Sequence, residues 1–403
     1  MRILQIGMTD NLGGIETFLI NYYRNIDKTK IQFDFVNIYN KKLYFQDEIE
    51  NMGGKVYKLT SYYKRPIKYI KELIRIINEN NYEIIHCNMN SAVMIYPLIA
   101  GKFSKAKIII AHSHNSSSDK GILKSILHSI NKHFIPLFAN TFFACSNEAG
   151  KWFFSEKIRN HSNYHIIYNA IDFNKYLFDE EEKKKVRKEW KINENTLVMG
   201  HVGRFNKQKN HKFLIDIFYK YQKKVKDSKL ILIGIGPLKE KIEKKVKKLN
   251  IQDKVLFLNQ RNDVDKLLQG IDVFVLPSLY EGLPLAGVEA QVSGLICLFS
   301  DNITKELKIS DNAFFIDLSN EEKWISKIKK NIEIVIDEKG FSNYLREYYS
   351  KYKLDVYVDF YDHLAKMILL EKEIQEMFSY DGGKYYFIVD DQTKSSLNIA
   401  VGI

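Results

Sequence analysis

Val273-Phe274-Val275-Leu276-Pro277-Ser278-Leu279-Tyr280-Glu281-Gly282-Leu283-Pro284-Leu285-Ala286-Gly287-Val288-Glu289-Ala290 holds one complete strand–turn–helix unit. The run Val273–Leu276 has no polar alternation, so it reads as a strand buried on both faces, as in a parallel sheet. Gly282 and Pro284 suit a turn and the first residue of a helix, which opens at about 285. Backbone N–H groups at such a helix start are unpaired and form a site for phosphate. Glu281 falls before the helix and Glu289 about one and a half turns inside it. Ionised carboxylates only accept hydrogen bonds, which suits the hydroxyls of a sugar and of a ribose. Two surface glutamates near a helix start are the bland alternative, and the strand–turn–helix context weighs against it.

The same unit recurs in both directions along the chain. Upstream, strands are expected at Ile3–Gly7, Phe33–Ile38, Lys55–Leu59, Ile84–Cys87, Lys107–His112 and Thr141–Cys145, with helices at 15–25, 46–52 and 66–79 between them. The run Asp179–Lys188 is charged, lacks apolar periodicity and reads as a solvated linker leading into a helix. The pattern then restarts with strands at Val198–Val202, Leu230–Ile233, Val255–Phe257, Val273–Leu276, Leu295–Phe299 and Ala313–Ile316. Helices alternate with them at 210–224, 238–249, 263–269 and from 285. This is an α/β chain of two doubly wound domains, with parallel sheets covered on both faces. The boundaries expected are 1–170 for the first domain and 171–350 for the second. Helices follow at 321–336 and 341–349, then a helix at 351–370. The tail 371–403 carries two apolar runs around a polar turn, a possible β-hairpin without an assigned role. Two such sheets meeting at a cleft point their carboxyl ends, the usual ligand-binding ends, toward each other.

Composition narrows the class further. At about 150 residues per domain, 403 residues make two or three domains. Aromatics at 13% exclude disorder as the main state, and 20 Gly with 6 Pro exclude a collagen-like chain. Cys87, Cys145 and Cys297 are scattered through apolar runs without metal-ligand spacing, so they read as reduced core thiols rather than a disulfide framework. No signal-like or membrane-spanning stretch is present: Ala92–Ala100 is too short and is broken by Pro97. A cytoplasmic protein is expected.

The net charge is +12, and residues 1–140 hold 19 Lys and Arg against 11 Asp and Glu, so eight of those charges lie in the first third. Lys64–Arg75 carries five basic residues and one acid. Lys120–Phe138 sets Lys124, His128, Lys132 and His133 around Ile122, Ile126, Ile130 and Phe134 at helical spacing. Ordinary helices with solvated lysine faces would explain both stretches. A basic face against anionic lipid is the functional alternative. Nucleic acid is not expected, because the lysines elsewhere are mixed with acids and no recognition module is readable.

Three further motifs end strands. In Gly203-Arg204-Phe205-Asn206-Lys207-Gln208-Lys209, Arg204 can grip a diphosphate in a fork and Lys209 can add a point charge. Such cations offset the charge that builds on a leaving nucleoside diphosphate. Gly13-Gly14-Ile15-Glu16 follows the first strand, and its glycines let backbone amides approach an anion. It is not a dinucleotide fingerprint, and Gly234-Ile235-Gly236 reads as a plain turn. In Ala111-His112-Ser113-His114-Asn115, alternation sends His112 and His114 to one side of the strand, as a polar strand end lining the cleft. A metal lacks a third ligand there, and no nucleophile elbow is present.

The Glu281/Glu289 pair, the Gly203/Arg204/Lys209 element, Gly13-Gly14 and His112 together resemble the retaining glycosyltransferases of family 4, of GT-B fold. Cys145-Ser146-Asn147-Glu148-Ala149 and Ile167-Tyr168-Asn169-Ala170-Ile171-Asp172 are similar to that family's segments near the domain junction. The resemblance covers about residues 1–370, and the stretch from Glu281 to Asp301 is nearest the capsular and exopolysaccharide branch. It implies a nucleoside-diphosphate-sugar donor, UDP by default, seated on the second domain. Arg204, Lys209 and the amides of Gly282 and Leu283 would hold the diphosphate. Glu281 would contact the sugar, Glu289 the ribose, and His112 the outer hydroxyls of the sugar. Gly14 would approach from the first domain, and the base would lie near Asn259–Arg261. Transfer would need no metal or other cofactor, and the helix at 351–370 would cross back to the first domain. The expected product of this reading is a hexose or N-acetylhexosamine moved to a polyprenyl-linked saccharide in cell-surface polysaccharide synthesis. The enzyme would then sit peripherally at the inner face of the membrane. Leu283-Pro284 departs from the aromatic–glycine pair common in the family. Two alternatives stay open: a nucleotide-sugar epimerase or hydrolase of the same fold, and a non-catalytic partner of a sister transferase. The second would be expected to lack the cations or the acidic pair, and this chain has both.

Overall fold

The computed structural model describes residues 1–117, 121–169 and 171–331. Seven strands form the first sheet: β1 Arg2–Ile6, β2 Gln32–Asn37, β3 Val56–Lys58, β4 Ile84–Met89, β5 Ile108–Ser113, β6 Thr141–Ala144 and β7 Tyr164–Ile166. All are parallel, in the order β3-β2-β1-β4-β5-β6-β7. Six strands form the second: β8 Leu197–Val202, β9 Ser228–Ile233, β10 Val255–Asn259, β11 Val273–Leu276, β12 Ile296–Ser300 and β13 Ala313–Ile316. These are also parallel, in the order β10-β9-β8-β11-β12-β13. The winding reverses between β1 and β4 in one sheet and between β8 and β11 in the other. These are the points at which such sheets bind ligands.

The continuous apolar strands have the burial that parallel pairing requires. Along β9, Leu230 and Leu232 enter one core while Ile231 and Ile233 enter another, so both faces of the second sheet are covered. Helices between successive strands supply the opposing apolar faces. Leu214, Ile215, Ile217, Phe218 and Tyr221 of the His211–Lys224 helix are all buried. The three cysteines are buried and unpaired.

Three elements differ from the sequence reading. Strand β7 is too short and mixed in polarity to announce itself. The helix Tyr96–Lys102 tolerates Pro97 because the proline stands in its first turn, where its missing N–H is not needed. The charged run is not a solvated linker but a helix, Glu180–Glu189, capped by the Asp179 carboxylate on the amides of Glu181 and Glu182. Val186 and Trp190 of this segment are buried. Arg187, also buried, donates from Nη2 to both oxygens of Asp272 at 2.7 Å. Two apolar residues and one satisfied ion pair anchor a helix whose composition hides its buried side. The expected helices at 341–349 and 351–370 and the tail 371–403 lie outside the described residues.

Candidate active site

The loops that follow β1, β8 and β11 converge on a cavity of about 1290 Å³ at the carboxyl ends of the two sheets. Gly14, Gly203, Arg204, Lys209, Arg261, Glu281, Gly282, Leu283 and Glu289 all line it. His112 does not. It is fully buried, with Phe18 edge-on at 5.1 Å between ring centres, His86 stacked at 5.1 Å and His114 at 3.9 Å. Alternation does send both histidines the same way, but His114 stands nearer the strand end and lines the cavity in its place. Burial holds all three imidazoles neutral: it lowers His86 and His112 well below the usual range and His114 to about 3.

The helix that opens after β11 runs Leu285–Val292 and starts on Pro284. Directly before it, Glu281 Oε1 lies 2.8 Å from Lys209 Nζ, with both side chains largely buried. Gln208 Nε2 donates to the Glu281 carboxylate at 3.2 Å and to the Tyr280 carbonyl at 3.0 Å, while the Leu279 amide donates to the Gln208 carbonyl at 2.8 Å. The β8 loop and the β11 loop are thus tied side chain to backbone. Arg204 is exposed at the cavity, and among the described residues it makes no ion pair. An anion entering here meets one free guanidinium, one ammonium shared with a carboxylate, and a helix start.

Glu289 lies deeper, 7% exposed, and accepts a hydrogen bond from Tyr176 Oη at 3.0 Å. Burial raises its carboxyl to about 7, although the Tyr176 bond works in the opposite direction. From the first sheet, Glu16 is buried at the start of the Gly14–Asn25 helix and accepts the Thr9 amide at 2.8 Å, which shapes the loop after β1. Burial raises its carboxyl too. Arg261 lines the cavity but is held in a fork by Asp263, at 2.8 and 2.6 Å.

Glycine is required at two approaches. Gly234 has φ of +141°, and a Cβ there would stand 2.2 Å from the Gly203 carbonyl oxygen. The loop after β9 is therefore a close backbone contact supporting the β8 loop rather than a plain turn. At Gly282 a Cβ would stand 2.7 Å from the His114 carbonyl oxygen and 2.8 Å from Cys145 Sγ. The β11 loop reaches the first sheet only because this side chain is absent.

Contacts from the first half of the chain hold the same loop. Ser116 Oγ donates to the Glu281 carbonyl at 2.5 Å, and Asn169 Nδ2 donates to the Leu283 carbonyl at 2.6 Å. Ser116, Asn169, Gln208, Tyr176 and Glu16 carried no site role in the sequence reading, and His114 was read only as part of a polar strand end lining the cleft. Their partners lie far away in the chain, and a polar residue in a loop has no periodicity to betray it. The Gly13-Gly14-Ile15-Glu16 motif held the only local signal, an acid at the third helical position.

Models of two families match the chain: Glycosyltransferase Family 4 over residues 12–175 and Glycosyl transferases group 1 over residues 182–370. The putative glycosyltransferase EpsF of Bacillus subtilis is 32% identical over 310 residues, covering 76% of this chain and 80% of EpsF. The chain belongs to the family 4 glycosyltransferases, and it is a transferase of GT-B fold. An Escherichia coli enzyme named UDP-Gal:alpha-D-GlcNAc-diphosphoundecaprenol alpha-1,3-galactosyltransferase is 27% identical over 275 residues, covering 66% of this chain and 70% of its own. Among solved structures, Anabaena Alr3699/HepE in complex with UDP-glucose superposes with a TM-score of 0.74 at 18% identity, covering 92% of this chain and 100% of that one.

Proposed function

We propose that the enzyme transfers a hexose or N-acetylhexosamine, with retention, from a UDP-sugar to a polyprenyl-diphosphate-linked saccharide during cell-surface polysaccharide synthesis. The observation that carries this reading is the Lys209–Glu281 pair beside the exposed Arg204, at the start of the Leu285–Val292 helix. The names of the E. coli relative and of a Campylobacter jejuni diphospho-undecaprenol N-acetylgalactosaminyltransferase, 28% identical over 182 residues, support the lipid-linked acceptor. UDP bound in the Anabaena structure supports the donor base.

In this reading Arg204 and Lys209 receive the diphosphate together with the amides that open the helix. Glu281, relieved of part of its pairing with Lys209, accepts a hydroxyl of the donor sugar, and Glu289 accepts the ribose hydroxyls. The bond between the sugar's anomeric carbon and the diphosphate oxygen breaks as the acceptor oxygen bonds to the same face of that carbon. The acceptor's proton passes to the departing phosphate. The two cations hold the charge that develops, in the place a metal ion takes in other transferases.

The test is a panel of nucleoside diphosphates and their sugars read by thermal shift, followed by transfer to a short-chain prenyl-diphosphate-linked N-acetylhexosamine. A ligand that binds only the native state raises the melting temperature. The expected result is a shift with UDP and one UDP-sugar, lost in Arg204→Ala, together with a product of retained configuration. No shift with any nucleotide and no transfer overturns the reading.

A further inference from the structure

Gln208 and Lys209 are neighbours in the chain, and each takes one oxygen of the Glu281 carboxylate. Gln208 Nε2 donates to Oε2 at 3.2 Å, and Lys209 Nζ stands 2.8 Å from Oε1. The two contacts differ in kind. Lys209 meets Oε1 as an ion pair, and this buried oxygen has no hydrogen-bond partner among the described residues. Its capacity to accept a hydroxyl is therefore unused. Gln208 is neutral and tied on two sides. Its Nε2 also donates to the Tyr280 carbonyl at 3.0 Å, and its own carbonyl accepts the Leu279 amide at 2.8 Å. The two acceptors in front of the side-chain amide fix which way it points. Turned over, its oxygen would face a carbonyl and a carboxylate with no proton between them. Ser116 Oγ donates to the Glu281 carbonyl at 2.5 Å, so the main chain beneath the carboxylate is fixed as well.

We infer that Gln208 is a positioning residue for the donor sugar: it anchors Glu281 by Oε2 and leaves Oε1 to accept a sugar hydroxyl. This rests on the donor reading proposed above. A diphosphate competes with Glu281 for Lys209. The Lys209 amide is pinned to Asn206 Oδ1 at 3.0 Å, so the main chain stays in place while the flexible stem turns from carboxylate to phosphate. Gln208 has no charge to be drawn after the anion, and its bonds to Glu281 and to the Tyr280 carbonyl persist. Without them, a carboxylate released by Lys209 would sit on a long side chain free to turn from the sugar. The residue type matters. A lysine at 208 would keep Glu281 in an ion pair after Lys209 had left it. A glutamate there would set two carboxylates against each other. An uncharged donor holds the carboxylate and leaves it ionised and open on one side. Gln208 acts through Glu281 and not on the reacting atoms.

The test pairs variants with donors. The wild type, Gln208→Ala, Gln208→Glu and Glu281→Gln are titrated with UDP by calorimetry. Their transfer kinetics are measured with UDP-glucose, UDP-galactose and the N-acetylated forms of both, and then with analogues of the fastest donor that each lack one sugar hydroxyl. Gln208→Ala keeps the main-chain carbonyl that accepts the Leu279 amide, so the loops stay tied and UDP affinity is expected to stay as in the wild type. Its kcat/KM for the complete donor is expected to fall by about 10–100-fold, the range for a lost hydrogen bond to a charged group. Gln208→Glu, similar in size and reversed in polarity, is expected to fall further. In the wild type, removal of the hydroxyl that Glu281 accepts is expected to cost the most. In Gln208→Ala that penalty alone is expected to shrink, as in a double-mutant cycle between two coupled groups. A residue that merely supports the loop would lower complete and deoxygenated donors by one common factor, and that result overturns the inference. Wild-type kcat/KM in Gln208→Ala overturns it too, as does a loss of UDP affinity in that variant, which would assign Gln208 to the phosphate loop. Impaired Glu281→Gln beside unimpaired Gln208→Ala refutes this inference alone. Full turnover by Glu281→Gln, or a wild type that uses none of the donors, refutes the donor reading itself and this inference with it.

Discussion

Lys209 Nζ and Glu281 Oε1 stand 2.8 Å apart across the loops that follow β8 and β11, one the expected phosphate cation and the other the expected sugar acceptor. They neutralise each other until a donor arrives with charge for the one and hydroxyls for the other. Lys209→Ala is expected to lower turnover by about 10²–10³. It also strands a largely buried carboxylate, at up to about 3 kcal/mol, the low end of the cost for breaking such a pair. Adding Glu281→Gln should restore the melting temperature without restoring turnover. A double variant as unstable as Lys209→Ala would show that the pair is not what holds these loops.

Glu289 makes the site sensitive to pH. Its carboxyl is raised from 4.5 to about 7 by burial, so the folded protein binds a proton there that the unfolded chain releases. Stability from this group is fully present below pH 4.5 and is lost as pH rises through 7. In the proposed ribose role of Glu289, nucleotide affinity runs the other way, because the hydroxyls need the carboxylate as acceptor. Calorimetric titration with UDP should show affinity falling below pH 7, by at most about tenfold per pH unit. Glu289→Gln should flatten both profiles. A UDP affinity independent of pH in the wild type would remove Glu289 from the ribose site.

Gly282→Ala tests the close approach between the halves of the chain. The added methyl meets the His114 carbonyl and Cys145 Sγ below contact distance, and neither is the end of a flexible chain. Overpacking of this kind costs about 1–3 kcal/mol. The expected outcome is a lower melting temperature and a kcat/KM for donor reduced at least about tenfold, since the helix start is displaced from the cations. Unchanged kinetics would mean that the approach is incidental to catalysis.

Asn169→Ala removes the donor to the Leu283 carbonyl, a bond of 2.6 Å between buried groups. Leaving that carbonyl unsatisfied costs about 1–3 kcal/mol. The loop proposed to offer amides to the diphosphate loses its brace, so KM for donor should rise more than kcat falls. Initial-rate kinetics on the purified variant decide it; an effect on kcat alone would point to the chemical step instead.

The winding of both sheets was legible because the strands are continuous apolar runs and the intervening helices are periodic, two signals that need no partner to be recognised. The cations and Glu281 were legible because they stand in loops that leave strand ends, where a parallel sheet delivers its ligands, and Glu289 because it stands on the helix that one such loop opens. Alternation put His112 and His114 on one side of their strand but could not show that Phe18, His86 and His114 would pack around the His112 ring. The Arg187–Asp272 ion pair turned a charged run into a packed helix, and a pair between residues 85 apart leaves no local trace. The Ile122–Asn131 helix, in which His128 is buried and the isoleucines are exposed, shows the same limit. Its apolar spacing announced a helix, but the direction of that face was set by His128 and by backbone groups at 92–93.

The bonds that brace the β11 loop from Ser116, Asn169 and Gln208 end on the carbonyls of Glu281, Leu283 and Tyr280. A carbonyl is present whatever side chain its residue carries. The clamp therefore holds the loop's path without depending on which side chains stand at 280 and 283. A substitution at either position can change what the cavity wall presents while the bonds that close the site stay in place, so the shape of the loop and the chemistry of its surface are set separately.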